Sequence, residues 1–134
     1  RSGSWSARRH YCMWGETMDL VIGGAFQGKL SWAAREYDLK PEELCDLAAE
    51  EPRAGARCCF HLEELTRRDA DAARYLPQLL AADVVVSREV GSGVVPMDAG
   101  ERDWRERHGV LLQELARRAV HVHRVFCGLT EELK

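Results

Sequence analysis

The sharpest constraint in the 134-residue sequence is a break in its apolar pattern. The run Leu20, Val21 and Ile22 stops at Gly23-Gly24, and after a Gly28-Lys29 pair the apolar residues resume as Leu30, Ala33 and Ala34. A short aliphatic run closing on glycines predicts a buried strand over residues 19–22, and the helical spacing that follows predicts a helix over 29–37. Between them Gly23, Gly24, Ala25, Phe26, Gln27, Gly28 and Lys29 fit the pattern G-x-x-x-x-G-K. Glycines in such a loop let backbone amides turn toward an anion, the following helix adds the positive end of its dipole, and the lysine ammonium neutralises terminal phosphate charge. A plain tight turn would use the same glycines; the strand before and the helix after favour a phosphate loop. The candidate phosphate-binding set extends through Leu30 and Ser31. The residue after the lysine is normally Ser or Thr, whose hydroxyl reaches Mg²⁺, and Leu30 has no oxygen to offer. Ser31 lies about 100° further round the helix, so Mg²⁺ coordination is expected to be weakened or supplied elsewhere.

Downstream, Pro41, Glu42 and Glu43 suit the first turn of a helix, predicted over residues 41–49. Residues 57–60 read as a short strand, and 62–68 and 72–81 as helical pieces. Val84, Val85 and Val86 predict a strand over 83–87 buried on both faces. Trp104, His108, Leu111, Leu112 and Leu115 mark one side of a long amphipathic helix over 100–119, and 120–127 returns as a last strand. The leucine stripe reads as core, with a subunit contact as the alternative. Strands alternating with helices predict an α/β domain over residues 18–134, a mostly parallel sheet flanked by helices. Residues 1–17 show neither helical nor strand periodicity and are expected to form a disordered extension.

The formal net charge of −3, with acidic and basic residues intermixed, provides no broad basic field for nucleic acid. No apolar run approaches the roughly 18 residues that cross a bilayer, and residues 1–17 lack the apolar centre of a signal peptide, so a cytosolic protein with no membrane partner is expected. The five cysteines, Cys12, Cys45, Cys58, Cys59 and Cys127, are odd in number and two are adjacent, which suits reduced thiols better than a disulfide framework.

A second constellation, Ser87-Arg88-Glu89-Val90-Gly91-Ser92-Gly93-Val94-Val95-Pro96, follows the valine-rich strand. Ligands of open parallel sheets bind at that carboxyl edge, where Glu89 is placed to accept a proton from a hydroxyl or to organise a metal-bound water. Alternatively it caps a turn. His61, just after the predicted 57–60 strand, occupies the place where many phosphate-loop proteins carry a catalytic acid; a lone histidine also serves as a packing residue. His121 and His123, two apart on a strand with Cys127 further on, share a face, but without a fourth ligand or a Cys-x-x-Cys pair no metal site is expected.

In this order, the two loops and the C-terminal VFCGLTEELK resemble the adenosylcobinamide kinase/guanylyltransferase family. That family shows a strand followed by GGARSGKS and a later strand followed by NEVGxGxVP. Gly23, Gly24, Ala25, Gly28 and Lys29 match the first pattern; Glu89, Val90, Gly91, Gly93, Val95 and Pro96 match the second. Arg105, Gly109, Gln113, Gly128 and Lys134 fall at further family positions, whereas Leu30, Arg88 and Val110 depart from them. The resemblance implies a P-loop NTPase fold of the RecA-like kind, assembled into homo-oligomers, with GTP or ATP and Mg²⁺ as cofactors and a cobinamide-type acceptor. The implied chemistry is phosphorylation of a side-chain hydroxyl, then transfer of GMP through a phosphohistidine-type intermediate. The family's H-R-x-x-R histidine has no counterpart here, His61 being the sole histidine between the two loops. The expectation is thus a nucleotide-dependent transferase with Lys29 holding phosphates and Glu89 assisting the acceptor. The rival readings are a non-catalytic nucleotide-binding homologue and a kinase for another small hydroxylated substrate.

Overall fold

Strand β1 (Asp19–Gly23) is the centre of the sheet, hydrogen-bonded in parallel to β4 (Val84–Arg88) on one side and β5 (Val122–Phe126) on the other. The computed structural model describes residues 17–24, 28–89, 98–126 and 129–134. The predicted extension up to residue 16, Ala25, Phe26 and Gln27, residues 90–97 with most of the second loop, and Cys127 and Gly128 lie outside them. With β2 (Leu44–Asp46), β3 (Cys58–Phe60) and β6 (Leu129–Glu132), the sheet has six strands in the order β2-β3-β4-β1-β5-β6. All are parallel except β6, which returns antiparallel along β5.

The direction of the connections fixes the layers. The chain leaves β1 for the far edge and then steps back through β3, β4 and β5, so right-handed crossovers must put the first helix on one face and the later ones on the other. Helix α1 (Lys29–Glu36) accordingly packs Leu30, Ala33 and the following Tyr37 against Val21, Val84 and Val86. On the opposite face, α2 (Leu62–Arg68), α3 (Leu76–Ala81) and α4 (Ala99–Arg118) cover Leu20, Cys59 and Val85 with Leu65, Leu79, Leu111 and Leu115. The predicted α/β class and mostly parallel sheet are therefore observed. Among the described residues no helix is long and apolar enough to cross a membrane.

Two expectations fail. Residues 41–49 are not a helix: Pro41–Glu43 form a single 3-10 turn, and the chain then enters β2. The local start signals are real, since the Glu43 carboxylate accepts from the Lys40 amide at 2.8 Å. Pairing overrides them: Leu44, Cys45 and Asp46 lie in register with Cys58, Cys59 and Phe60, which buries Cys45 in the core. The chain also does not end its sheet on β5. Strand β6 follows it without a sequence signal, because all four of its residues are exposed and carry no core-facing pattern.

At the amino edge of the sheet the strands are fastened by polar groups. Asp19 is buried, taking the Tyr37 hydroxyl at 2.5 Å and the His121 amide at 3.1 Å. Arg57 donates to Asp83 at 2.8 Å, to Glu43 at 3.2 Å and to the Tyr37 carbonyl at 3.1 Å. At the other edge, a Cβ added at Gly23 would stand 2.5 Å from the Val125 carbonyl oxygen. Gly23→Ala is expected to lower stability by about 1–3 kcal/mol through forced separation of β1 and β5. Urea denaturation checks this; an unchanged midpoint would mean that β5 gives way without cost.

Candidate functional site

Because β1, β3, β4 and β5 run parallel, their carboxyl ends bring Gly23-Gly24, His61, Glu89 and Phe126 to one edge. The glycine turn has a cavity on either side. The smaller, about 180 Å³, is lined by residues 28–31 of the loop and α1 and by Phe60, His61, Glu63 and Val86. Gly28 caps α1 at φ 80°, a left-handed conformation that glycine adopts with little strain. From the first residue of α1, the Lys29 ammonium donates to the Gly24 carbonyl at 2.8 Å. Burial pushes its pKa below the ordinary lysine value, the Glu63 carboxylate pulls it partly back, and Arg88 pushes it down again.

His61, just after β3, lines this cavity together with Lys29. It sits at φ 63°, one of the two non-glycine residues of positive φ among those described. Such strain at an edge that binds ligands points to a function. Asp46, at the end of β2, holds the ring by a 2.8 Å contact to Nδ1. The carboxylate takes the proton on Nδ1, which directs the lone pair of a neutral ring onto Nε2. Glu63 is the residue missed from sequence. It is buried at the start of α2, one oxygen accepting the Arg88 amide at 2.9 Å, and it faces the same cavity.

Glu89 lies on the other side of β1. Its amide donates to the Gly23 carbonyl at 2.7 Å, latching β4 to the glycine turn, and its carboxylate is clamped by Arg124 at 2.7 and 3.2 Å. It lines the larger cavity, about 550 Å³, together with Gly23, Gly24 and residues of β5 and β6. The structure thus brings Lys29, Leu30, Ser31 and His61 together and sets Glu89 apart from them.

A family model described as cobinamide kinase / cobinamide phosphate guanyltransferase matches residues 55–133, more than half of the chain. The chain belongs to that cobinamide kinase/guanyltransferase family. No curated protein matches it. The family match spans His61, Glu63 and Glu89 but starts after the glycine-lysine loop, whose reading stands on its own pattern and geometry.

In this kinase/guanyltransferase member the small cavity rests on a buried polar network. The Thr66 hydroxyl donates to the Glu63 carbonyl at 3.1 Å and accepts the Trp104 indole at 3.0 Å. Nδ1 of the fully buried His108 lies 2.7 Å from the same hydroxyl, and its Nε2 meets the Ser87 hydroxyl at 3.0 Å and the Arg88 carbonyl at 3.3 Å. Trp104 stacks on His108, and the Arg67 guanidinium lies 3.8 Å over the indole. Lys134 acts structurally, its ammonium donating to the Ala116 and Arg117 carbonyls at the end of α4. His121 and His123 do share a face, their rings 6.1 Å apart, with His121 on Glu132 and His123 beside Trp32. No group of three metal-ligating side chains occurs among the described residues.

Proposed function

We propose that this protein is a phosphotransferase of cobalamin biosynthesis, moving the terminal phosphoryl group of GTP or ATP to a hydroxyl of a cobinamide-type acceptor. The observation that carries the reading is the convergence of Lys29 and His61 on one cavity at the carboxyl edge of β1. The strand order supports a P-loop, RecA-like fold, with β1 between β4 and β5 and the lysine loop at its end. Lys29 and the loop amides hold the phosphates. The acceptor oxygen attacks the terminal phosphorus as the bridging P–O bond breaks; the nucleoside diphosphate leaves, and His61 Nε2 takes the hydroxyl proton. Asp46 stabilises the imidazolium that results. Glu89, whose carboxylate is engaged by Arg124, serves here to join the loops rather than to take the proton.

Phosphoryl transfer asks mainly for positioning and charge neutralisation. Leu30 contributes no ligand to Mg²⁺, so Ser31 and Glu63 are the oxygen donors that fit an ion carried chiefly by the nucleotide's phosphates and water. When bound, the ion would neutralise charge on the phosphate oxygens. His61→Gln is expected to lower cobinamide phosphorylation by about 100-fold or more while nucleotide binding is kept. Unchanged turnover would remove the base from His61.

The same Nε2 is the atom that guanylyl transfer would need as nucleophile, which gives that second reading one specific support. GTP labelled at its α-phosphorus separates the two. An acid-labile label on wild-type protein, absent from His61→Gln, belongs to guanylyl transfer; turnover without label belongs to the kinase.

A further inference from the structure

His108 lines neither cavity, yet both nitrogens of its buried ring are turned to polar groups that lead to them. Burying an imidazole costs free energy unless its nitrogens are met, and an aliphatic side chain would fill the same place on α4 without that cost. What the ring touches supplies the reason for it. Nε2 faces the end of β4, 3.0 Å from the Ser87 hydroxyl and 3.3 Å from the Arg88 carbonyl, and that hydroxyl donates to the same carbonyl at 3.1 Å. The carbonyl belongs to the Arg88–Glu89 peptide, and a peptide is a rigid plane with its C=O and N–H on opposite sides. The N–H of this plane is the one that donates to the Gly23 carbonyl at 2.7 Å. The Gly23 carbonyl in turn shares a plane with the Gly24 N–H, the first amide of the glycine turn beyond β1. Two rigid planes in series thus run from α4 to the loop, and the next carbonyl, that of Gly24, takes the Lys29 ammonium at 2.8 Å.

We propose that His108 is a positioning residue for phosphate binding: the Nε2 end of its ring holds the Arg88–Glu89 peptide at the angle that aims the glycine turn. The proposal rests on the reading of the loop as a phosphate site. The two ends of the ring have separate duties. Nδ1, 2.7 Å from the Thr66 hydroxyl, ties α4 to α2, where that hydroxyl and the Trp104 indole both donate to the Glu63 carbonyl. Nε2 ties α4 to β4 and, through the two peptide planes, to the turn. His108 touches no reactant; it acts through Arg88, Glu89 and Gly23. A misplacement of about 1 Å at a reacting site can cost about 100-fold, so the tilt of one peptide is enough to matter.

Asparagine and glutamine separate the two ends, because the Asn amide reaches the place of Nδ1 and the Gln amide that of Nε2. Calorimetry with GTP in Mg²⁺ and hydrogen exchange of the Glu89 amide are the readouts. His108→Asn is expected to weaken GTP binding about 10-fold or more and to speed exchange of the Glu89 amide by about as much. His108→Gln should stay within about 3-fold of wild type in both, although urea denaturation should find the two variants destabilised alike. Ser87→Ala, a smaller change that removes the other donor to the Arg88 carbonyl, should move both readouts in the direction of His108→Asn and takes its place should that variant not fold. Equal losses in His108→Asn and His108→Gln, or a Glu89 amide unmoved by His108→Asn and by Ser87→Ala, overturn the proposal while leaving the phosphate loop standing. Wild-type protein that binds no GTP removes the loop reading and this proposal with it.

Discussion

Lys29→Ala is expected to lose nucleotide affinity by about 100-fold or more and to turn over no cobinamide. Lys29 stands at the first turn of α1, half-buried, with its pKa already pushed down by burial. A phosphate beside it supplies the opposite charge that this environment lacks in sufficient measure, so binding should bring the ammonium back up and gain from doing so. Alanine leaves the loop amides and the helix dipole in place but removes the lysine cation from the cavity lining. Lys29→Arg should not restore activity, because a planar fork does not fit the space of a flexible amine in a cavity of about 180 Å³. Calorimetry with GTP and ATP in Mg²⁺ reads the loss directly; equal binding by wild type and alanine variant would place the phosphates elsewhere.

His108→Ala should cost the fold on the order of 3–4 kcal/mol, a large part of the stability of an ordinary domain. The substitution opens a hole beneath Trp104 and removes the ring that joins the Thr66 and Ser87 hydroxyls across the interface of α2, α4 and β4. The loss should also depend on pH. Burial holds the pKa of His108 below the ordinary histidine value, so the unfolded chain takes up a proton there before the folded one does. Wild-type stability should therefore be full above about pH 6.5 and decline as pH falls below it, until the folded ring's own lower value is reached. The alanine variant lacks this component. The gap between the two proteins in urea denaturation should be widest near about pH 7.5 and narrower near about pH 5.5. A constant gap would show that this ring does not titrate differently in the two states.

What sequence reveals here follows from how local each signal is. Three successive valines can hide only between two covered faces, and β4 is where they do so. His108 is legible as a polar residue on an apolar stripe, since Trp104, Leu111 and Leu115 fix the helical phase around it. Strand β2 is not legible, because proline and two glutamates describe the start of a helix and only the distant partner Cys58–Phe60 decides otherwise. Glu63 is hidden by its neighbour: Glu63 and Glu64 both look like acids placed for the dipole of a short helix. Only the spacing to Thr66, one turn on, hints that Glu63 is the one turned inward. The clamp on Glu89 escapes sequence for a similar reason, as nothing near it in the chain announces Arg124, 35 residues away.

The polar fastenings at the amino edge, Asp19 with Tyr37 and Arg57 with Asp83, share no residue with the loops at the carboxyl edge. These two fastenings thus hold the sheet from the end of the strands that carries none of the candidate site residues. A side-chain exchange at the exposed Arg88 would leave both fastenings intact, whereas one at Leu30 would take a packing residue from the face of α1.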